Sequence, residues 1–129
     1  MTYLVDTHVF LWAVRSPDEV SDRARKILAD PKAKLLISII VPWEIAIKSA
    51  IGKLKGVGEI LDNFEGLMSA GGYQILETST KQAIESGRLP LHHKDPFDRL
   101  LAAQALDLRV TIISSDDVFD RYGVKRIWS

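Results

Sequence analysis

The sequence predicts an α/β protein: a three-layer α/β/α sandwich with a mostly parallel central sheet of four to five strands. Short continuous apolar runs, typical of strands buried on both faces, alternate along the chain with segments of helical periodicity. Turn residues such as Asp30-Pro31 and Gly71-Gly72 separate these segments. Regular alternation of strands and helices is typical of a parallel sheet that helices cover on both faces.

The first third of the chain predicts two strands and two helices. Tyr3–Val5 is a short apolar run, and the crowded apolar residues of Thr7–Val14 favour a helix after it. A second helix is predicted over Ser21–Ala29, because Ser21 is a good N-cap residue. Leu35–Ser38 is the second predicted strand.

The middle of the chain predicts two helices and a third strand. Ile39–Ile51 is helical in its apolar spacing, and Pro42 is tolerated in a first turn. Glu59–Ser69 is predicted as one further helix, since its apolar residues recur at spacings of one, three and four. Tyr73–Leu76 follows as a strand.

The last third predicts a pair of helices, a loop between them and the remaining strands. The helices are Thr78–Glu85 and Pro96–Leu106, and the loop Leu89–Lys94 carries paired histidines. A fourth strand is expected at Val110–Ile113. Two short elements close the chain: a helical turn at Asp116–Phe119 and a last strand at Val124–Trp128.

Length and composition restrict the function classes. A chain of 129 residues with 47% hydrophobic and 26% charged residues suits a single domain over residues 1–129. The absence of cysteine excludes disulfide frameworks, zinc–thiolate sites, iron–sulfur clusters and cysteine nucleophiles. The most apolar window, Leu35–Ile47, contains Glu44 and is too short for a membrane span. Without a recognisable secretory signal, we expect a cytoplasmic protein with no membrane partner.

Acidic residues stand where the predicted strands end. Asp6 directly follows the first strand, Asp116 closely follows the fourth, and Glu44 lies on the helix after the second. Asp98 lies near the start of the helix that leads into the fourth strand. Ligands of parallel sheets bind beyond the carboxyl ends of the strands, so these carboxylates are expected to converge. A hard divalent cation with oxygen ligands would offset their mutual repulsion.

Each of these acids also has an ordinary structural interpretation. Asp6 and Asp116 could act as helix N-caps, and Asp98 would favour the dipole in the first turn of its helix. Glu44 could pair with Lys48 on an exposed helix face, although its apolar neighbours indicate a buried acid that needs a partner. The residues alone leave these alternatives open.

Four ordered segments resemble a known family. Tyr3–Trp12 resembles the opening of PIN-domain proteins, and specifically of the VapC-type toxins of bacterial toxin–antitoxin pairs. Trp43–Lys48, followed by Gly52-Lys53-Leu54, is similar to their second segment, and His93–Ala105 is very close to their third. Ser114–Phe119 is similar to the fourth. The segments span nearly the whole chain, and the long third one is the most specific.

The resemblance implies a PIN-like fold and an endoribonuclease, the toxin of a toxin–antitoxin pair, that depends on Mg²⁺ or Mn²⁺. It implies RNA as the substrate, a small cognate antitoxin as an inhibiting partner, and a homodimer. By motif position the catalytic and metal-binding acids are Asp6, Glu44, Asp98 and Asp116, with Asp117 as the alternative for the last. Clustered acids of this kind hold metal ions, which lower the pKa of a bound water.

Residues around the implied site receive expectations of their own. Thr7 would position water or a carboxylate, whereas His8, His92 and His93 are expected to lie beside the site or on the surface. Either RNA contact or a solvated face would explain the basic residues Lys48, Lys53, Lys55 and Arg99. Trp12 and Trp43 are expected in the core.

Two other function classes are weighed against the nuclease. A receiver-like Mg²⁺-binding signalling domain would need adjacent acids after the first strand, where Asp6 stands alone. A non-catalytic PIN-like scaffold that binds RNA or a partner is the second alternative. The balance of 17 basic and 17 acidic residues argues against a simple basic coat for nucleic acid. Without the four candidate acids, thirteen acids face those seventeen basic residues, which suits a negative pocket within a mildly positive surface.

Overall fold

Five parallel strands form one sheet in the order β3-β2-β1-β4-β5. The computed structural model describes residues 1–129. The strands are β1 (Thr2–Val5), β2 (Lys34–Ser38), β3 (Tyr73–Leu76), β4 (Thr111–Ile113) and β5 (Arg126–Ile127). Central β1 pairs with β2 on one side and β4 on the other, so the order of the strands reverses beside it. Such a switch point places a cleft beyond the carboxyl ends of β1 and β4.

Eight α-helices surround the sheet, and a short 3-10 turn lies at Pro17–Glu19. The helices are α1 (Thr7–Arg15), α2 (Asp22–Leu28), α3 (Ile40–Ala50), α4 (Gly58–Asp62), α5 (Phe64–Gly71), α6 (Thr80–Arg88), α7 (Pro96–Leu108) and α8 (Val118–Arg121). None of them combines the length and the apolar character that crossing a bilayer requires.

The two faces of the sheet support separate hydrophobic cores. Tyr3 and Val5 of β1 point into a core with α1, α2, α4 and α5, whereas Leu4 points into a core with α7 and α8. This alternation is the period-two geometry of a strand with both faces buried. The predicted α/β/α sandwich with a parallel sheet is therefore confirmed.

The predicted single helix over Glu59–Ser69 is wrong. The chain forms α4 and α5 instead, with Asn63 between them at φ −122° and ψ 34°. A Cβ at Gly66 would lie 2.3 Å from Oδ1 of Asn63, so the amide side chain folds closely over this glycine. Asparagine favours such local arrangements over a helix interior, and the apolar spacing does not reveal the break.

The helix predicted over Thr78–Glu85 begins later and extends further. Ser79 caps α6 in a capping box, because its hydroxyl accepts from the N–H of Gln82 while the Gln82 side chain accepts from the N–H of Ser79. The cap shifts the start to Thr80, and the helix continues past Gly87 to Arg88. The last helical turn likewise begins at Val118, beyond the predicted Asp116.

The expectation that both tryptophans lie in the core is wrong for Trp43. Its side chain is 56% exposed, and its ring meets Phe97 edge-on at a centroid distance of 5.3 Å. Trp12 is half-buried and packs against the core and against Trp128. Trp43 is exposed because the buried face of α3 is made by Val41, Glu44 and Ile45.

Candidate active site

Asp6 lies at the carboxyl end of β1, directly beside the end of β4. Its backbone N–H donates to the carbonyl of Ile113 at 3.1 Å, which continues the ladder between the two strands. Its carboxylate is 3% exposed, and Oδ2 accepts from the hydroxyl of Ser114 at 2.7 Å. Although Asp6 occupies the N-cap position of α1, its side chain makes no capping hydrogen bond. The structure therefore contradicts the capping interpretation of Asp6.

Glu44 projects from α3 and is 2% exposed. Its Oε1 accepts from the hydroxyl of Thr7 at 2.6 Å, and its Oε2 pairs with the ammonium of Lys48. The predicted pairing with Lys48 thus exists, but on a buried face rather than the exposed face that the simple helix interpretation requires. Thr7, next to Asp6 in the chain, connects the end of β1 to α3 through this bond. Both carboxylate oxygens of Glu44 consequently have partners within the protein.

Asp98 lies in the first turn of α7, and a neighbouring acid caps that helix. Oδ1 of Asp95 accepts from the N–H of Phe97 at 2.8 Å and of Asp98 at 3.4 Å. The cap leaves the Asp98 carboxylate directed away from the helix end, where its Oδ2 lies 2.9 Å from Nε2 of His93. Its other oxygen has no protein partner. Asp95 is therefore the helix cap, and Asp98 is free for the site.

Asp116, rather than Asp117, approaches this group. One ligand atom each of His93, Asp98 and Asp116 lies within 4.8 Å of the others. The N–H of Asp116 donates to the Ser114 hydroxyl at 3.0 Å, and its Oδ1 accepts from the N–H of Val118, also at 3.0 Å. The capping interpretation of Asp116 is thus confirmed for Oδ1, which accepts from Val118 at the start of α8. The other carboxylate oxygen takes no part in this cap. Asp117 is exposed, and its side chain makes no capping bond.

Burial and mutual repulsion alter the acidity of these carboxyls. Burial, followed in order by the charges of Asp6, Asp95, Glu44 and Asp116, raises the pKa of Asp98 to about 8. Burial also raises the pKa of Asp6, against the opposing hydrogen bond from Ser114. The structure therefore brings all four sequence-predicted acids close enough for their charges to interact.

The donor set fits a divalent cation. Oδ1 of Asp6 is buried and has no hydrogen-bond partner in the protein. An orphaned carboxylate oxygen is costly to bury, and the charge of Asp6 also interacts with those of Glu44 and Asp98. A hard cation such as Mg²⁺, which takes oxygen ligands and retains waters, would satisfy both conditions. Asp6 and Asp98 have the free oxygens for this role, whereas Glu44 is already occupied by Thr7 and Lys48.

A cleft of about 320 Å³ is lined by Glu44, one of the four acids. Its walls are partly polar and carry both basic and acidic side chains. The polar lining residues are Thr7, His8, Glu44, Lys48, Lys53 and Asp95. Lys48 and Lys53 are therefore placed to meet an anionic ligand that reaches the acids, whereas His92 packs against Tyr122 away from this cleft.

Arg99 has no role at the surface of this cleft. It is 7% exposed, and its guanidinium donates to four backbone carbonyls. The acceptors are Gly87 at 3.3 Å, Leu89 at 2.9 Å, Pro90 at 3.1 Å and His93 at 3.2 Å. Neither RNA contact nor a solvated face, the two expectations for this arginine, fits a buried group. Arg99 instead holds the loop between α6 and α7 in place.

We expect Arg99→Met to destabilise the protein. Four carbonyls lose a charged donor, and a single hydrogen bond to a charged group contributes about 1.5–3 kcal/mol, so we expect the free energy of unfolding to fall by at least about 3 kcal/mol. Urea unfolding followed by circular dichroism measures it. Arg88→Met is the matched control, since Arg88 is exposed on the neighbouring helix. Equal stability of the two variants would contradict the bracing role.

The sequence assigns no role to Ser114, and it predicts His93 beside the site or on the surface without a defined contact. Ser114 is fully buried and links Asp6 to the Asp116 turn, and His93 contacts Asp98. Val5 pairs with Ile113, so Asp6 and Ser114, which follow these two residues, lie side by side. This strand register cannot be predicted from a single sequence. For His93, the sequence offers only its position five residues before Asp98. In the structure, Arg99 holds the loop by donating to the His93 carbonyl.

This α/β/α protein has buried carboxylates at the switch point of its sheet. It therefore belongs to the class of α/β proteins that can hold a divalent cation beyond the carboxyl ends of the strands. Within that class, the PIN domain family model matches residues 3–125, and the chain belongs to this family. Membership excludes the receiver-like alternative. Proteins of the PIN family are generally nucleases, and this membership supports a hydrolase. No curated protein matches it in sequence.

Solved structures share the fold over the whole chain. A chain of the VapBC2 complex from Rickettsia felis, bound to a promoter DNA fragment, superposes with a TM-score of 0.73 at 20% identity and covers 100% of both chains. DNA-bound VapBC from Salmonella typhimurium gives 0.73 at 18% identity, over 98% of this chain and 97% of the other. VapBC-5 from Mycobacterium tuberculosis gives 0.62 at 19% identity, over 99% and 98%. These likenesses extend the agreement in fold to the complete chain.

Proposed function

We propose that this protein, a single PIN domain over residues 1–129, is an endoribonuclease that depends on Mg²⁺ or Mn²⁺ and hydrolyses RNA phosphodiester bonds. The observation that carries this proposal is the buried Asp6 carboxylate, whose Oδ1 has no protein partner and whose charge interacts with that of Asp98. Family membership supports the nuclease class. The donor set supports the metal, since carboxylate oxygens are the ligands that Mg²⁺ and Mn²⁺ prefer.

The four acids divide into two roles in this proposal. Asp6 and Asp98 would hold the cation through their free oxygens, with Asp116 at the open side. Glu44 would add negative charge to the site without contacting the cation, because its carboxylate accepts from the Thr7 hydroxyl and pairs with Lys48. A bound divalent cation supplies charge neutralisation for the phosphate and lowers the pKa of water.

The cleft supports a polyanionic substrate. Lys48 and Lys53 line it next to the acids, and phosphate contacts from such residues position a strand without reading its sequence. The exposed ring of Trp43, braced by Phe97, offers a flat apolar face nearby on α3. Because the protein is neutral overall, the basic cleft residues rather than net charge would attract RNA.

The proposed protein partners are based on the solved structures that share this fold. Those neighbours are chains of VapBC toxin–antitoxin complexes, so we propose that this protein is the toxin of such a pair and is inhibited by a small cognate antitoxin. A homodimer in the cytoplasm is part of the same proposal. An antitoxin segment that crosses the cleft would block RNA from the acids.

The test is cleavage of RNA by the purified, antitoxin-free protein. A mixed pool of end-labelled RNAs should be cut in Mg²⁺ or Mn²⁺, and excess EDTA should reduce the rate to background. Restoring Mg²⁺ must then restore the rate, which separates this enzyme from contaminating metal-independent ribonucleases. Binding of RNA without cleavage in either metal would contradict the proposal and would favour the non-catalytic scaffold.

A further inference from the structure

The loop between α6 and α7 holds one histidine in a fixed position against the site. The N–H of His93 donates to the hydroxyl oxygen of Tyr122 at 3.0 Å, and its carbonyl accepts from Arg99 at 3.2 Å. The ring makes two further contacts, one through each nitrogen. A histidine with an incidental surface position would not be held at its backbone and at both ring nitrogens.

The ring contacts indicate which nitrogen carries the proton. The N–H of Asp95 points to Nδ1 of His93 at 3.4 Å, so Nδ1 acts as an acceptor. A neutral imidazole with Nδ1 as acceptor carries its proton on Nε2. Nε2 then donates to Oδ2 of Asp98 at 2.9 Å. No other group of the protein donates to the Asp98 side chain, so this contact alone fixes the orientation of its carboxylate.

We propose that His93 is a positioning residue for Asp98: its Nε2–H binds Oδ2 and presents the other carboxylate oxygen to the divalent cation. The inference rests on the proposed metal-dependent function. A protonated ring nitrogen cannot itself be a metal ligand, and Mg²⁺ prefers oxygen ligands to imidazole. His93 therefore lies near the cation without touching it, although its ring nitrogen is within 4.8 Å of the Asp98 and Asp116 ligand atoms.

Fixing a carboxylate in this way has a definite consequence for metal affinity. Partners that orient a ligand typically contribute about 10–100-fold to metal affinity or activity. Asp98 is also close to other acids, so without a donor its carboxylate can rotate away from Asp6 and Asp116 at little cost. Loss of the donor should thus weaken metal binding, while a side chain with an N–H at a similar reach should restore it.

The experiment measures Mg²⁺ and Mn²⁺ affinity by calorimetry in the wild-type protein and three variants. His93→Ala should weaken binding at least tenfold, and His93→Gln, whose amide N–H can replace Nε2–H, should recover most of the loss. His92→Ala is the matched control, since its ring packs on Tyr122 and does not contact Asp98. Pulsed electron paramagnetic resonance of the Mn²⁺-loaded wild-type protein should detect no directly bonded ¹⁴N.

The outcomes separate this inference from the proposed function. Undiminished affinity in His93→Ala would overturn the positioning role while leaving the metal site in place. A ¹⁴N coupling that disappears in His93→Ala would also overturn it, by making His93 a ligand. Equal losses in His93→Ala and His93→Gln, with unchanged thermal stability, would overturn the role of the donated hydrogen bond. Failure of the wild-type protein to bind either metal would overturn the proposed function itself and this inference with it.

Discussion

Asp98→Asn is expected to abolish RNA cleavage while making the metal-free protein more stable. The amide removes a carboxylate that has a free oxygen at the proposed site, so the rate should fall about a thousandfold, at the upper end of what one preorganised charge-stabilising group contributes. Asn still accepts from Nε2 of His93 through its carbonyl oxygen. The fold around α7 should therefore persist, and initial rates on a labelled RNA in Mg²⁺ measure the loss.

The gain in stability follows from the pKa of Asp98. The folded protein raises this pKa to about 8, chiefly by burial and then by the charge of Asp6, whereas an unfolded aspartate titrates near its ordinary value of 3.8. A raised pKa means that the contribution of Asp98 to stability is intact below about pH 4 and is lost as the pH rises through about 8. Asn cannot ionise, so the variant keeps that stability.

The pH dependence supplies the measurement. In EDTA, the free energy of unfolding of Asp98→Asn should exceed that of the wild-type protein by about 2 kcal/mol or more above pH 8, and the difference should vanish below pH 4. Adding Mg²⁺ should favour the wild-type protein instead. Asp117→Asn is the control, because Asp117 is exposed and outside the cluster. Full activity of Asp98→Asn, or lower stability at pH 8, would contradict the assignment.

Much of the fold was accessible from the sequence because both faces of the sheet are buried. Apolar runs such as Tyr3–Val5 have few alternatives to a buried strand, and parallel pairing follows from the helices between them. The break at Asn63 was not accessible, since the amide that folds over Gly66 leaves the apolar spacing of a single helix unchanged. Trp43 was misplaced because α3 buries the face that carries Val41, Glu44 and Ile45, which leaves the neighbouring Trp43 side chain exposed.

The four acids were predicted to converge because they follow strand ends or fit the resemblance, and their charges do interact, but the sequence did not reveal the environment of each one. Whether a carboxylate is free or occupied depends on contacts between distant segments, such as Thr7 with Glu44 or Ser114 with Asp6. Arg99 shows the same limit, since a basic residue next to Asp98 in sequence is directed into the α6–α7 loop instead. Contacts over such separations depend on strand register and loop path, which a single chain does not reveal.

Lys48→Met is expected to cause the largest loss of stability at the site. Glu44 is 2% exposed and would keep only the Thr7 hydroxyl as a partner. Breaking a buried ion pair by removing one member typically costs about 3–5 kcal/mol, because the remaining charge is left uncompensated. The pKa of Lys48 is raised in the folded protein: its partial burial works against this, but the hydrogen bond and charge of Glu44 outweigh it. Urea unfolding in EDTA measures the loss.

A double-mutant cycle separates the ion pair from the packing of Lys48. Glu44→Gln combined with Lys48→Met removes both charges, so most of the lost stability should return. Lys53→Met is the matched control, because Lys53 lines the same cleft and forms no ion pair. If the double variant were as unstable as Lys48→Met alone, the uncompensated charge of Glu44 would not be the cause of the loss.

The same substitution should change metal affinity in the opposite direction. Lys48 is a fixed positive charge beside Glu44, 3.9 Å from Asp95, and its charge interacts with Asp98. Its removal makes the acid cluster more negative, so Lys48→Met should bind Mg²⁺ several-fold more tightly and be stabilised by Mg²⁺ more than the wild-type protein is. Weaker Mg²⁺ binding in Lys48→Met would mean that the lysine orders the acids rather than competing with the cation. In the metal-free protein, Lys48 thus offsets part of the negative charge of Glu44, Asp95 and Asp98.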